Sequence, residues 1–268
     1  MRHTPTAVIL AAGPGSRLLP RTANTPKCLT EVGGQPILRY QIAALRQCGV
    51  ENIVIVVGYL AEKIEAFVDP SVVLVENRDF ATTNSSYSLW LARTHLGRGF
   101  LHLNSDLIFE PEVLRALLAA REENAVIVDR RVRPDSDMMK AEMKGRQILR
   151  MGKQLADNVA AEVVGPAKFG PSGADSIVRR LTALNAAGDR RSWAYSVFGE
   201  LATELQLAGV DNPDRFWAEV DTTADARDAD RRIPASLVKL AADYAAAPSL
   251  PTVSSRTAAR DGFPTLAS

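Results

Sequence analysis

Short apolar runs alternate with stretches of helical period through the first 130 residues, and that alternation limits the folds open to this chain. The runs are "TAVILAA" from Thr6, "NIVIVVG" from Asn52, "SVVLVEN" from Ser71, "FLHLNSD" from Phe100 and "AVIVD" from Ala125. Helical patterns fall between most of them. One follows Pro36, with Leu38, Ile42 and Leu45 on a single stripe, and others cover Ser88–Leu96 and Pro111–Glu122. Apolar strands alternating with helices predict an α/β fold, a mostly parallel mixed sheet with helices on both faces. Such sheets bind ligands at the carboxyl ends of their strands. The glycine-rich loop after Ala12, the stretch Asn77 to Asn84, and Asp106 each follow a strand, so one crevice can hold all three.

Beyond Arg130 the texture changes. "DMMKAEMKGRQILRMGKQL" has short apolar runs broken by charge and glycine, the pattern of antiparallel hairpins. Helical patterns follow at Ala174–Leu184 and around Trp193–Leu207, and "RFWAEVDTTADARDADR" reads as a short strand running into a helix. The expected organisation is a single domain over 1–247 with a small antiparallel insertion at about 131–215. The last residues, 248–268, lack an apolar period and read as a flexible tail. With 268 residues the chain can bury a sizeable core without disulfides. Its 32 basic and 31 acidic residues nearly cancel, which argues against a nucleic-acid partner. Cys28 and Cys48 have no disulfide or metal spacing and suit a reducing compartment. The N-terminal apolar run is too short for a signal peptide or a membrane span, so a cytoplasmic protein without membrane attachment is expected.

The stretch "LAAGPGSRLLPRTANTPKCL", Leu10 to Leu29, concentrates glycine and cationic residues just after the first strand. The dinucleotide pattern G-x-G-x-x-G fails, because Leu18 stands at the third glycine. The P-loop pattern fails too, because Gly15 arrives early and Ser16-Arg17 follows it. What remains is still equipment for a polyphosphate. Gly13 and Gly15 allow positive φ and close backbone approach, Arg17 offers a charged planar fork, and Lys27 adds a mobile point charge.

The longer stretch "LAAGPGSRLLPRTANTPKCLTEVGGQPIL" resembles the signature of the nucleotidyltransferases that act on sugar phosphates and related phosphates. The resemblance covers roughly the first 110 residues and the segment around Asp221. It implies a Rossmann-like fold and an enzyme that joins a nucleoside triphosphate to a phosphate acceptor, releasing pyrophosphate. It further implies that Leu10, Ala11, Ala12, Gly13, Gly15, Ser16 and Arg17 hold the triphosphate, and that Lys27 bridges the α-phosphate and the acceptor. Asp106, in "FLHLNSDLIF", is a carboxylate at a strand's end, placed to bind Mg²⁺ beside the triphosphate or to cap the turn that follows. No D-x-D is present there, which counts against sugar transfer from a finished nucleotide sugar. The resemblance makes Asp106 and Asp221, in "FWAEVDTTAD", the Mg²⁺ ligands; Asp221 can equally be read as a helix N-cap. Glu219 lies two residues back on the same side of the strand and can support Asp221.

"NRDFATTNSSYSLWLA" is similar to the N-N-x-Y-S-L stretch of cytidylyltransferases acting on phosphocholine, 2-aminoethylphosphonate and inositol phosphate, with Ser85 in place of the second Asn. On that likeness Asn84, Ser85 and Ser88 bind cytosine or ribose, and the same residues also fit an N-capped helix start. Lys140 and Lys153 would face the acceptor's phosphorus group, and Glu162 matches the subgroup's glutamate. Tyr195, with Trp193 and Glu200, would line the acceptor's other end. The implied activity is Mg²⁺-dependent transfer of CMP from CTP to a small phosphonate or phospho-alcohol, such as hydroxyethyl- or aminoethylphosphonate or phosphocholine. The alternative is a sugar-1-phosphate nucleotidyltransferase using UTP, dTTP or GTP. The resemblance also leaves a homodimer open.

Overall fold

Each strand of the amino-terminal half sends alternate residues to opposite cores. In β1 (Thr6–Ala11), Ala7, Ile9 and Ala11 join one apolar cluster while Val8 and Leu10 join another. The computed structural model describes residues 5–131, 138–155 and 158–246; the tail expected at 248–268 lies outside the described residues. After β1 come a small ribbon, β2 (Glu31–Val32) with β3 (Gln35–Pro36), then α1 (Ile37–Gln47), β4 (Ile53–Val57), α2 (Ala61–Phe67) and β5 (Val73–Glu76). Next are α3 (Ser85–Leu91), β6 (Phe100–Asn104), β7 (Leu107–Phe109), α4 (Pro111–Ala119) and β8 (Ala125–Asp129). The remainder supplies β9 (Lys140–Lys144), β10 (Gln147–Gly152), β11 (Val159–Phe169), α5 (Pro171–Ala186), α6 (Ala194–Glu200), β12 (Ala208–Asp211), β13 (Trp217–Glu219), α7 (Thr223–Arg232) and α8 (Ala235–Ala246).

Among the described residues the main sheet has nine strands, in the order β5-β4-β1-β6-β11-β8-β12-β10-β9. Strands β5, β4, β1 and β6 are mutually parallel, β11 runs antiparallel between β6 and β8, and β9 and β10 form the antiparallel hairpin read from their sequence. The chain leaves β1 toward β4 and β5, then returns to add β6 on the other side. The carboxyl ends of β1 and β6 therefore flank a topological switch point, where open α/β sheets place ligands. The stretch 131–215 contributes β9 to β12 to this same sheet.

Helices cover both faces for local reasons. In α1, Leu38, Ile42 and Leu45 are all buried against the sheet, each burial stabilising by roughly 1.5–3 kcal/mol. The helix gives way at Cys48, just before Gly49 takes a left-handed φ of 77°. Helix α4 opens with Pro111, whose missing N–H costs nothing in a first turn. On the opposite face α3, α5 and α6 pack over Val8, Phe100, Val126 and Val128. A third cluster forms where Leu18 and Tyr40 meet Ile108, Val220 and Ala226, under α7 and α8. Leu18 is fully buried there, so a hydrophobic anchor occupies the position where a dinucleotide site needs glycine.

Ribbon β7–β13 matters most for function. Glu219 pairs with Leu107, and the Val220 N–H donates to the Asp106 carbonyl at 2.9 Å, which brings Asp221 beside Asp106. Asp129, buried at the end of β8, fastens this ribbon. Its carboxylate accepts from Arg131 at 2.7 Å and from the Trp217 indole N–H at 3.1 Å. The Arg131 guanidinium above all holds the Asp129 carboxyl well below the usual carboxylate range.

Two features of the fold generate tests. Gly15 has φ 62°, and a Cβ there would lie 2.8 Å from Lys27 Cβ. Gly13, which could take positive φ, does not adopt it, and a Cβ there would meet nothing within 4 Å. Gly15→Ala should therefore lose at least about 1 kcal/mol of unfolding free energy in urea, and Gly13→Ala less than about 0.5 kcal/mol. The second feature is His102, fully buried on β6 with its ring edge-to-face against Tyr195 and Phe198 and no hydrogen-bond partner on either ring nitrogen. Burial pushes its pKa down to about 3. The unfolded chain takes up this proton below the ordinary histidine pKa while the native protein does not, so stability falls as pH falls. Between pH 7 and 5 the wild type should lose about 2 kcal/mol more unfolding free energy than His102→Leu, measured by urea titration at both pH values.

Candidate active site

A cavity of about 500 Å³ opens at the carboxyl ends of β5, β1 and β6. The loop after β1 forms its floor. Leu10, Ala12, Gly13, Gly15, Ser16 and Arg17 line it, whereas Ala11 faces the opposite core. Gly15 starts a tight turn, Ser16–Leu18, and its carbonyl accepts from the Thr22 hydroxyl at 2.9 Å. Buried Leu18 pins the far end of that turn, which leaves the half-exposed Arg17 guanidinium free to reach across the cavity mouth.

Lys27 stands on a second tight turn, Lys27–Leu29, anchored by the buried Cys28, whose thiol burial pushes up to about 12. The Lys27 ammonium donates to Asp106 Oδ2 at 2.6 Å and to Asp221 Oδ1. Arg17 completes the cluster at 2.7 Å from Asp221 Oδ2. Burial alone would lower the Lys27 pKa, but the two carboxylates outweigh it and raise it above its ordinary value. For Asp221 burial works upward, and Lys27 and Arg17 overcome it and hold the carboxyl low.

Asp221 is free for this work because its neighbour caps the helix. The Thr222 side chain accepts from the Asp225 N–H, and Asp225 accepts in return from the backbone of Asp221 and Thr222. Of the two roles open to Asp221 from sequence, the capping one belongs to Thr222.

Glu219 joins the two aspartates: one oxygen from each of the three lies within 4.8 Å of the others. Its side chain meets solvent at the cavity surface yet is crowded by protein and by negative charge. Burial first, then the charges of Asp106 and Asp221, push its pKa up to about 8. An all-oxygen set of three carboxylates suits a hard divalent cation. Asp106 Oδ1 is shielded from solvent and has no hydrogen-bond partner, so the set has an acceptor to spare.

Asn84, Ser85 and Ser88 also line the cavity, and each already has a structural task. Asn84 N-caps α3 through the Ser85 N–H. The Ser85 hydroxyl accepts from the Ala194 N–H at 2.9 Å, tying α3 to the start of α6. Ser88 accepts from buried Asn77 at 3.0 Å.

The expected acceptor residues divide. Lys153 lines the cavity with its ammonium 4.6 Å from the centre of the half-exposed Trp193 ring, and its charge helps to hold Asp221 low. Tyr195 lines it as well, but is buried and donates its hydroxyl to the Gly165 carbonyl. Lys140 and Glu162 are not among the lining residues: Lys140 donates to the Lys153 carbonyl at 3.1 Å, and Glu162 is buried on β11 opposite Asp129 and Lys140. Glu200 pairs with Arg180 away from the cavity. Gly165 was missed from sequence. It takes φ 132° at an irregularity in β11 and lines the cavity, and the signal was the Gly-Pro pair inside a strand-like run.

Comparison with known proteins bears on the family and the fold. A 2-aminoethylphosphonate cytidylyltransferase from Lancefieldella rimae is 31% identical over 229 residues, 82% of this chain and 89% of that protein. A CMP-5'-(3-aminopropyl)phosphonate synthase from Streptomyces rubellomurinus is 41% identical over 133 residues, 48% of this chain but only 21% of that protein's length. The solved CTP:phosphocholine cytidylyltransferase from Streptococcus pneumoniae shares the fold, with a TM-score of 0.74 at 24% identity over 87% of this chain and all of that one. No helix among the described residues is long and apolar enough to cross a membrane. The MobA-like NTP transferase domain model matches residues 7–195, and the chain belongs to that nucleotidyltransferase family.

Proposed function

We propose that the protein transfers CMP from CTP to a small phosphonate or phospho-alcohol and releases pyrophosphate. The observation that carries this reading is the Lys27 ammonium set between Asp106 and Asp221, with Arg17 alongside, at the mouth of a glycine loop. A relative that spans most of the chain is named for 2-aminoethylphosphonate, which supports the acceptor class.

The acceptor is already an anion, so its oxygen needs no general base. It attacks the α-phosphorus of CTP, the bond from that phosphorus to the bridging oxygen breaks, and pyrophosphate leaves with the electron pair. The barrier lies in bringing two anions together, a task of positioning and charge neutralisation. The backbone from Gly13 to Ser16 cradles the phosphates, and Arg17 faces the departing pyrophosphate. Lys27 and Lys153 neutralise the α-phosphate and the acceptor. Asp106, Asp221 and Glu219 would hold Mg²⁺, which supplies positive charge to the phosphate oxygens when bound. Asn84, Ser85 and Ser88 border the side of the cavity assigned to the base and ribose. Free Cys28 and Cys48 suit the reducing cytoplasm, where this substrate pair is at home.

Pyrophosphate release with each nucleoside triphosphate tests the reading, using hydroxyethylphosphonate, 2-aminoethylphosphonate, phosphocholine and glucose 1-phosphate as acceptors. CTP should exceed every other nucleotide in kcat/KM by about tenfold or more, and Asp106→Ala should lower kcat by about a hundredfold or more. Equal use of UTP, or full activity in Asp106→Ala, would contradict it.

A further inference from the structure

Asp106 and Asp221, each with an oxygen within 4.8 Å of the other and of Glu219, repel one another, and in the free protein Lys27 bridges them while Arg17 pairs with Asp221. Its ammonium takes Asp106 Oδ2 and Asp221 Oδ1, while Arg17 takes Asp221 Oδ2. Both oxygens of Asp221 and one of Asp106 are thus engaged by protein cations, so a divalent ion on the set would sit against the Lys27 ammonium or have to displace it. The lysine stem passes close by Gly15, where an added Cβ would come within 2.8 Å of Lys27 Cβ. The Lys27 side chain is only 14% exposed, so bulk water has little access to the ammonium.

We propose that Lys27 is a built-in counter-ion that excludes a free divalent ion from the Asp106–Glu219–Asp221 set until an incoming triphosphate draws the ammonium away. Two cations cannot share the same carboxylate oxygens at contact distance without strong mutual repulsion. A triphosphate offers the ammonium anionic oxygens of its own and frees the carboxylates for the metal. Metal would then enter with nucleotide and not before it. The step that removes Lys27 rests on the nucleotidyl-transfer reading, whereas the exclusion itself is tested with metal alone.

Lys27→Met keeps the stem beside Gly15 and removes the charge, and Lys27→Arg keeps a cation. The probe is Mn²⁺, followed by its electron paramagnetic resonance signal in nucleotide-free protein. Lys27→Met should bind Mn²⁺ at least about tenfold more tightly than wild type, and Lys27→Arg as weakly as wild type. Equal affinity in wild type and Lys27→Met, or tight binding by Lys27→Arg, would overturn the proposal. Wild-type protein alone provides a check that needs no variant to fold: Mn²⁺ without nucleotide should leave its melting temperature unchanged, and a rise would overturn the proposal. Absence of cytidylyl transfer would count against the proposed reaction and leave this binding difference standing.

Discussion

Like charges crowded at one point are the constraint on which this structure depends. Asp106, Glu219 and Asp221 come from two distant parts of the chain, and where they meet the charges of the two aspartates push the Glu219 pKa up and must themselves be balanced. Lys27 and Arg17 supply the balance, and each is aimed by a short turn pinned at a buried residue, Cys28 in one case and Leu18 in the other. Such a cluster contributes little to stability, because taking charges from water costs about as much as their attraction returns. Its use lies in holding strong, pre-oriented fields where an anionic ligand must settle.

The sheet makes that meeting possible. Reversal of strand order at β1 opens a crevice between the loops after β1 and β6, and the glycine loop and Asp106 sit on those two loops. Ribbon β7–β13 then folds the chain back so that Glu219, at the end of β13, and Asp221, just after it, lie alongside. Asp129 secures the ribbon from the far side through Trp217. Phosphate cradle, carboxylates and cations therefore stand on elements packed against three apolar clusters, which gives the site its rigidity.

Much of this was legible in the sequence, for physical reasons. Strands β1, β4, β6 and β8 announce themselves because both their faces are buried, so their runs are almost wholly apolar, and the edge strand β5 keeps an apolar run though it is only partly buried. Lys27, Asp106 and Asp221 stood out because each follows a strong structural signal. Strand β11 did not: Gly165-Pro166 interrupts it, and its partners lie far away in sequence, so the longest strand read as part of an inserted region. Side-chain commitments were hidden too. Nothing in the spacing shows that the Ser85 hydroxyl accepts the Ala194 N–H, that Tyr195 spends its hydroxyl on Gly165, or that Lys140 turns to the Lys153 carbonyl. Those choices are made by tertiary packing, which a one-dimensional pattern does not encode.

Catalysis on this account is the transfer of positive charge from carboxylates to phosphates. The protein stores cations against its own acids and releases them to a substrate more anionic than itself. A crystal structure with Mg²⁺ and a non-hydrolysable CTP analogue measures this most directly. The account predicts the ion between Asp106 and Asp221 and the Lys27 ammonium on phosphate oxygens. Lys27 still bridging the two aspartates, with the ion bound elsewhere, would contradict it.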